Sequence, residues 1–242
     1  MIIKKIAKAL RLCLTPSYYS GLLNGVAASI EHTAILKNYD FQSVVDIGAN
    51  KGQFALLSRK LFPTAIVYSF EPLESARHIF GRIFSSEKRV KLYDYAIGEN
   101  NAEMMIHVSK EADSSSLLPI SELQNKIYPG TYEVAQEKIK VATLDSMLKV
   151  DDINSPALLK IDVQGFESST LAGCANLLRY FNVIYIELSF MELYRGQALA
   201  DEIIYYLHQH NFSLGGIYNV SYDAMGKAVQ ADFLFNNMAT DK

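Results

Sequence analysis

Residues 44–54 read VVDIGANKGQF: an apolar, β-branched run, a turn with two glycines, then a stretch that turns helical. An unbroken apolar run of this length is a strand buried on both faces, as in parallel sheets. Gly48 and Gly52 let the chain turn at once into a helix. A strand–turn–helix unit of this kind begins a doubly wound α/β sheet, whose ligands bind outside the carboxyl ends of the strands. Asp46 puts a carboxylate at that end.

The rest of the chain continues the alternation. After the strand at 43–47, the pattern predicts a helix at 51–61 stopped by Pro63, a strand at 66–70, a helix at 73–84 and a strand at 90–95. It then breaks. Strands are expected at 102–108 and 137–142, separated by a polar segment, 109–136, that holds Ser114-Ser115-Ser116 and Pro129-Gly130. A segment so long inside a compact domain reads as a functional loop or lid. A short helix at 143–150 follows. The alternation resumes with strands at 157–161 and 183–188 and helices at 168–180 and 198–209. Two closing strands lie at 212–218 and 230–235. Upstream, Pro16 separates a first helix from a second at 18–37. The expected organisation is a helical lead-in, 1–40, and one α/β domain, 41–242, with an insertion at about 100–142.

Composition narrows the function. Of 242 residues half are hydrophobic, enough for a sizeable core, and the net charge of −3 gives nucleic-acid binding no support. Cys13 and Cys174 lack metal-ligand spacing and read as ordinary reduced thiols of a cytoplasmic protein. No run reaches the roughly 18 to 20 apolar residues of a membrane span. The N-terminus, MIIKKIAKALRLCLTP, reads as a basic amphipathic helix rather than a signal peptide, since Lys4, Lys5, Lys8 and Arg11 interrupt its apolar part. Such a helix suits peripheral contact with the inner face of an anionic membrane, or packing over the site or within a homodimer.

The strand ends carry the chemistry. A dinucleotide loop needs G-x-G-x-x-G and a phosphate loop G-x-x-x-x-G-K-[ST]; the spacing of Gly48 and Gly52 is neither. Asp46 would repel phosphate and favour a cation, as in S-adenosylmethionine, which carries an ammonium and a sulfonium. Asn50 stands where many such loops have glycine and tolerates a left-handed backbone. Glu71, at the end of the second strand in VYSFEP, can accept from both hydroxyls of a ribose. The stretch 94–98 is placed to wall an adenine.

The ordered set VVDIGANKGQF, SFEP, YAIGE, SSSLL, VATLDSML, LLKIDVQGFESSTLAG and VIYIEL, with GVAASIEHTAIL upstream, resembles the FkbM-type S-adenosylmethionine-dependent methyltransferases. The resemblance implies a class I methyltransferase fold, a Rossmann-like seven-stranded sheet with helices on both faces and its last strand antiparallel. It implies methyl transfer to a hydroxyl of a sugar, glycan or related metabolite. It places Asp46, Gly48, Ala49, Asn50 and Gly52 by the methionine part, Glu71 and Pro72 by the ribose, Ala96 by the adenine and Asp162 beside the cofactor. Gln164 departs from the pattern, standing where the family commonly has an acid in D-V-E-G-x-E.

A hydroxyl is a poor nucleophile, so a base within hydrogen-bond reach is expected. Asp162 at the fourth strand end is the first candidate, as base or as orienter of the acceptor. Glu187 at the fifth is the second, and Glu167, opening the next helix, the third. No metal is expected, since Gln164 removes a ligand charge. His107 and His32 are more distant candidates. Two other readings are a non-catalytic cofactor-binding subunit and a nicotinamide oxidoreductase; the latter lacks both its glycine loop and a Tyr-x-x-x-Lys pair.

Overall fold

The computed structural model describes residue 12 and residues 14–239. The basic helix expected at the N-terminus falls almost wholly outside them.

Seven strands form one sheet: β1 (Ser43–Ile47), β2 (Ile66–Phe70), β3 (Val90–Tyr93), β7 (Ala157–Ile161), β8 (Val183–Ser189), β9 (Phe212–Tyr222) and β10 (Ala228–Asn237). Their order is β3-β2-β1-β7-β8-β10-β9. The first five are parallel, and β10 inserts antiparallel between β8 and β9. The predicted class and the antiparallel last strand are both present. Each parallel crossover carries a helix: α3 (Gln53–Leu61), α4 (Glu74–Ile83) and α7 (Glu167–Gly173), while α8 (Ala200–Gln209) leads to β9.

The sheet is covered on both sides. On one face Val45, Ile47, Leu159, Ile161 and Ile184 meet Leu171, Ile203 and Leu207 of α7 and α8. On the other, Val44, Leu158 and Tyr185 meet Phe54, Ala55 and Leu57 of α3. Alternation along a strand therefore sets which strand-end residues share a face. Asp46 pairs in register with Lys160, Lys160 with Tyr185, and Glu187 with Asp232. Asp162 follows Lys160 by two residues, and Glu187 follows Tyr185 by two. All six therefore stand on the α3 side of the sheet, at its carboxyl end.

Three expectations are corrected. The helix predicted at 18–37 is broken into α1 (Tyr19–Leu23), α2 (Thr33–Leu36) and two 3-10 turns, Pro16–Tyr18 and Ile30–His32. Gly25, at φ +72°, interrupts it. The loop predicted at 109–136 contains α5 (Glu122–Ile127), whose N-terminus is capped by the Ser121 hydroxyl accepting from Gln124 N at 3.2 Å. It also contains the first residues of a ten-residue strand, β6 (Glu133–Ala142). That strand forms a separate three-stranded sheet with β4 (Ala96–Ile97) and β5 (Ala102–Ser109). The closing strands β9 and β10 are a longer hairpin than their apolar cores predict. A final short helix, α6 (Leu144–Met147), joins the small sheet to β7.

Candidate active site

A crevice of about 590 Å³ opens at the carboxyl ends of β1, β2, β7 and β8, within the usual size of a small-molecule site. Gly48 turns the chain at φ +80°, where a Cβ would lie 1.8 Å from the carbonyl oxygen of Asp162. Only glycine allows β1 and β7 to end so close together. Asn50 takes the left-handed conformation, φ 47°, as its residue type predicts. Gly52, at φ +94°, admits the rings of Phe80 and Phe84 against the start of α3.

The Glu71 carboxylate ties this turn to β2, accepting from Asn50 N at 2.9 Å and from Leu73 N at 2.8 Å. Burial raises its pKa to about 7 against the pull of those two amides. Glu71, Pro72, Ala49, Asn50 and Ala96 all line the crevice. Phe70, Leu73, Ile97 and Phe166 add an apolar wall on the Ala96 side.

Asp46 lies elsewhere than expected. Its side chain is fully buried, and it stands behind the crevice lining rather than in it. Burial raises its pKa, opposed by Lys160, whose Nζ stands 3.4 Å from Oδ1. Lys160 also reaches Asp162 Oδ2 at 3.5 Å and the Gly48 carbonyl at 3.4 Å. Burial disfavours its charge, but the two aspartates outweigh that and hold its pKa above the ordinary lysine value. Asp46 thus anchors a lysine that lines the crevice. The signal for Lys160 was present in ALLKID, a lone cation in an apolar strand.

Asp162 and Glu187 do line the crevice. The Gln164 side-chain amide links them, donating to Asp162 Oδ1 at 2.7 Å and Glu187 Oε2 at 3.0 Å. Gln230 donates to the other oxygen of Glu187 at 2.9 Å. Burial first, then the charges of Asp162 and Asp232, raises the Glu187 pKa well above the carboxylate range. Tyr194 donates to Gln164 Oε1 at 2.8 Å, and Ser116 donates to the Gln164 carbonyl at 2.6 Å. The serine cluster is therefore a strap across the site, fixed also by Asn50 donating to Asp113 at 2.8 Å.

Glu167 is not in the crevice. Its buried carboxylate accepts from Gly165 N at 3.0 Å within its own turn, and burial raises its pKa to about 7. His107 bonds Glu133 at 2.7 Å on the small sheet, also away from the crevice. His32 does line it, together with Asp232 and Asn219 of the closing hairpin. No local pattern marks the last two, because β10 reaches the site only by inserting beside β8. Among the described residues no group of three or more His, Cys, Asp or Glu is placed to hold a metal ion.

Among the described residues the lining carries six acids (Glu31, Glu71, Asp113, Asp162, Glu187, Asp232) and two lysines (Lys51, Lys160). An acidic crevice with an apolar wall fits the cationic S-adenosylmethionine, and fits a pyrophosphate-bearing cofactor badly.

Comparison with known proteins agrees. The methyltransferase FkbM domain matches residues 46–214. The 2-O-methyltransferase NoeI of Sinorhizobium fredii is 31% identical over 165 residues, 64% of this chain and 66% of that protein. Methyltransferase 1 of Beauveria bassiana is 25% identical over 55% of this chain and 59% of that protein. The chain thus spans 66% and 59% of the length of these two curated relatives, less than two thirds of either. Among solved structures, a Streptococcus pneumoniae protein assigned as a tRNA (m1A22) methyltransferase, in complex with S-adenosyl-L-methionine, superposes with a TM-score of 0.50 at 9% identity. That match covers 86% of this chain and 71% of the other, and it speaks for the fold alone. The chain belongs to the methyltransferase FkbM domain family, and its α/β domain is an S-adenosylmethionine-dependent methyltransferase domain of class I fold.

Proposed function

We propose that the protein transfers a methyl group to a hydroxyl oxygen of a sugar, glycan or related polyhydroxylated metabolite. The observation that carries this reading is the row Asp162–Glu187–Asp232, three carboxylates on adjacent strands of one sheet face, all lining the crevice. With Asn219 and Gln164 beside it, this row offers many acceptors and donors for vicinal hydroxyls. The 2-O-methyltransferase name of the Sinorhizobium relative supports oxygen as the atom methylated.

When bound, S-adenosylmethionine supplies an electrophilic methyl group on its sulfonium. The protein's part is placement, exclusion of water and handling of one proton. Glu71 holds the ribose hydroxyls and Ala49 to Gly52 shape the turn around the methionine part. Pro72 and Ala96 close on the nucleoside. Asp162 orients the acceptor hydroxyl, with Gln164 fixing its other oxygen. Glu187, its pKa raised, donates or accepts at a second hydroxyl.

A nucleic-acid acceptor is disfavoured by the same lining, because among the described residues acids outnumber lysines there and a phosphate backbone finds little to neutralise it. Lys4, Lys5, Lys8 and Arg11, with the exposed Leu14 and Leu23, support peripheral contact with an anionic membrane surface near lipid-linked acceptors. Among the described residues no helix is long and apolar enough to cross a membrane. Vesicle co-sedimentation of the full chain and of a chain lacking residues 1–15 tests this; equal binding by both overturns it. The acceptor class is tested by offering methyl-labelled S-adenosylmethionine with panels of monosaccharides, glycans and tRNA. Label entering carbohydrate supports the reading, and label entering only tRNA overturns it.

A further inference from the structure

The hydroxyl proton needs a destination. The carboxylates nearest the expected methyl are poorly suited. Both Glu187 oxygens accept amides, and Asp162 is held by Gln164 at one oxygen and faces Lys160 at the other. Glu167 is outside the crevice. Of the five histidines, His32 alone lines it.

The His32 ring is held from one side. Nδ1 lies 2.8 Å from the Tyr185 hydroxyl, 3.4 Å from Asp232 Oδ2 and 3.2 Å from Asn219 Nδ2. Asn219 donates to Asp232 Oδ2 at 2.7 Å. Tyr185 is buried and keeps its proton, which it gives to Asp232. Its oxygen is therefore free to accept from His32 Nδ1–H. Burial pushes the Asp232 pKa up, but the neighbouring His32 ring and hydrogen bonds from Asn219 and Tyr185 outweigh it and hold it below the ordinary value. Among the described residues every polar contact of the ring falls on Nδ1, and the side chain keeps 15% exposure. The atom left with a lone pair for a ligand is Nε2.

We propose that His32 is the base of the reaction, with Asp232 and Tyr185 as residues that position its ring and fix its tautomer. The proposal rests on the hydroxyl-acceptor reading. Nε2 takes the hydroxyl proton as the oxygen forms its bond to the methyl carbon and the carbon–sulfur bond breaks. The positive charge that leaves the sulfonium is matched by one gained on the imidazole, so the net charge of the crevice is unchanged. His32 and Asp232 both lie outside residues 46–214, the span of the family domain. The cofactor half of the crevice comes from that span, and the proton-handling pair from the segments that flank it.

Two measurements test this. Long-range 1H–15N NMR of the full chain is expected to show the neutral His32 ring protonated on Nδ1. Tyr185→Phe and Asp232→Asn are expected to move the proton toward Nε2, the form preferred by free histidine. An Nε2–H tautomer in the unaltered protein overturns the proposal without reference to any acceptor. In turnover, His32→Asn keeps a donor near the Nδ1 position and removes the base. It is expected to lower kcat by about 10² to 10⁴, leave acceptor KM and cofactor Kd within about threefold, and be partly rescued by added imidazole. An active unaltered enzyme with His32→Asn equally active overturns the base alone. An unaltered enzyme that methylates only nitrogen or carbon overturns the hydroxyl reading with it.

Discussion

Lys160 Nζ lies 3.4 Å from Asp46 Oδ1, between two residues that are direct register partners on adjacent central strands. The pair is nearly closed to water, with Asp46 at 0% and Lys160 at 7% exposure. Its consequence is positional. The acid that ends the first strand stands behind the crevice lining and meets it through a lysine.

Removing the lysine strands the acid. Lys160→Met leaves Asp46 charged or protonated in an apolar setting and is expected to cost roughly 3 to 5 kcal/mol in urea unfolding. Asp46→Asn together with Lys160→Met is expected to recover most of that loss. A double variant no more stable than Lys160→Met would show that the two residues are not coupled.

Gly48 is fixed by geometry as much as by conformation. Gly48→Ala puts a Cβ onto the Asp162 carbonyl and strains a left-handed backbone, so a loss of at least about 2 kcal/mol is expected. Cofactor binding by calorimetry should fall in parallel, because the turn that carries Ala49 and Asn50 must shift.

Glu71 links pH to both stability and affinity. Its folded pKa of about 7 lies above the ordinary glutamate value of 4.5, because it is buried. Its stabilising contribution is therefore complete below about pH 4.5 and is lost as pH rises through about 7. Affinity for a cationic ligand has the opposite sign, rising as the carboxylate ionises through about pH 7. Calorimetry between about pH 5.5 and pH 8.5 should show tighter cofactor binding at the upper end, and Glu71→Gln should flatten both profiles.

Gln164 keeps two neighbouring carboxylates apart with one amide. Gln164→Glu restores the acid of the family pattern, removes both donated bonds and adds a third negative charge. A loss of about 1 to 3 kcal/mol is expected, larger at alkaline than at acid pH, because protonation relieves the repulsion. Thermal unfolding at several pH values checks the sign; a variant more stable at alkaline pH contradicts it.

Much of this was legible in the sequence because it depends on local chemistry. The turn from Asp46 to Gly52 announces itself through two glycines and an asparagine, and all three take positive φ in the structure. Glu71 was readable from its place at a strand end. The acceptor side was not. Asp232 and Asn219 arrive through a hairpin that inserts beside β8, a pairing between residues far apart in the chain that no local pattern encodes. His32 sits on a 3-10 turn that helical periodicity absorbed into one long helix. The first four residues of β6, Glu133 to Gln136, are all exposed, so no alternation marks them as strand. Glu167 looked catalytic by position, yet its carboxylate serves the backbone of the turn before it.

The atom that receives the methyl group decides the account most directly. The unaltered protein, incubated with 13C-methyl S-adenosylmethionine and a carbohydrate panel, is predicted to yield product whose labelled carbon has the NMR shift of a methyl ether. Label recovered only on nitrogen or carbon, or no transfer to any hydroxyl while the cofactor binds, would contradict it.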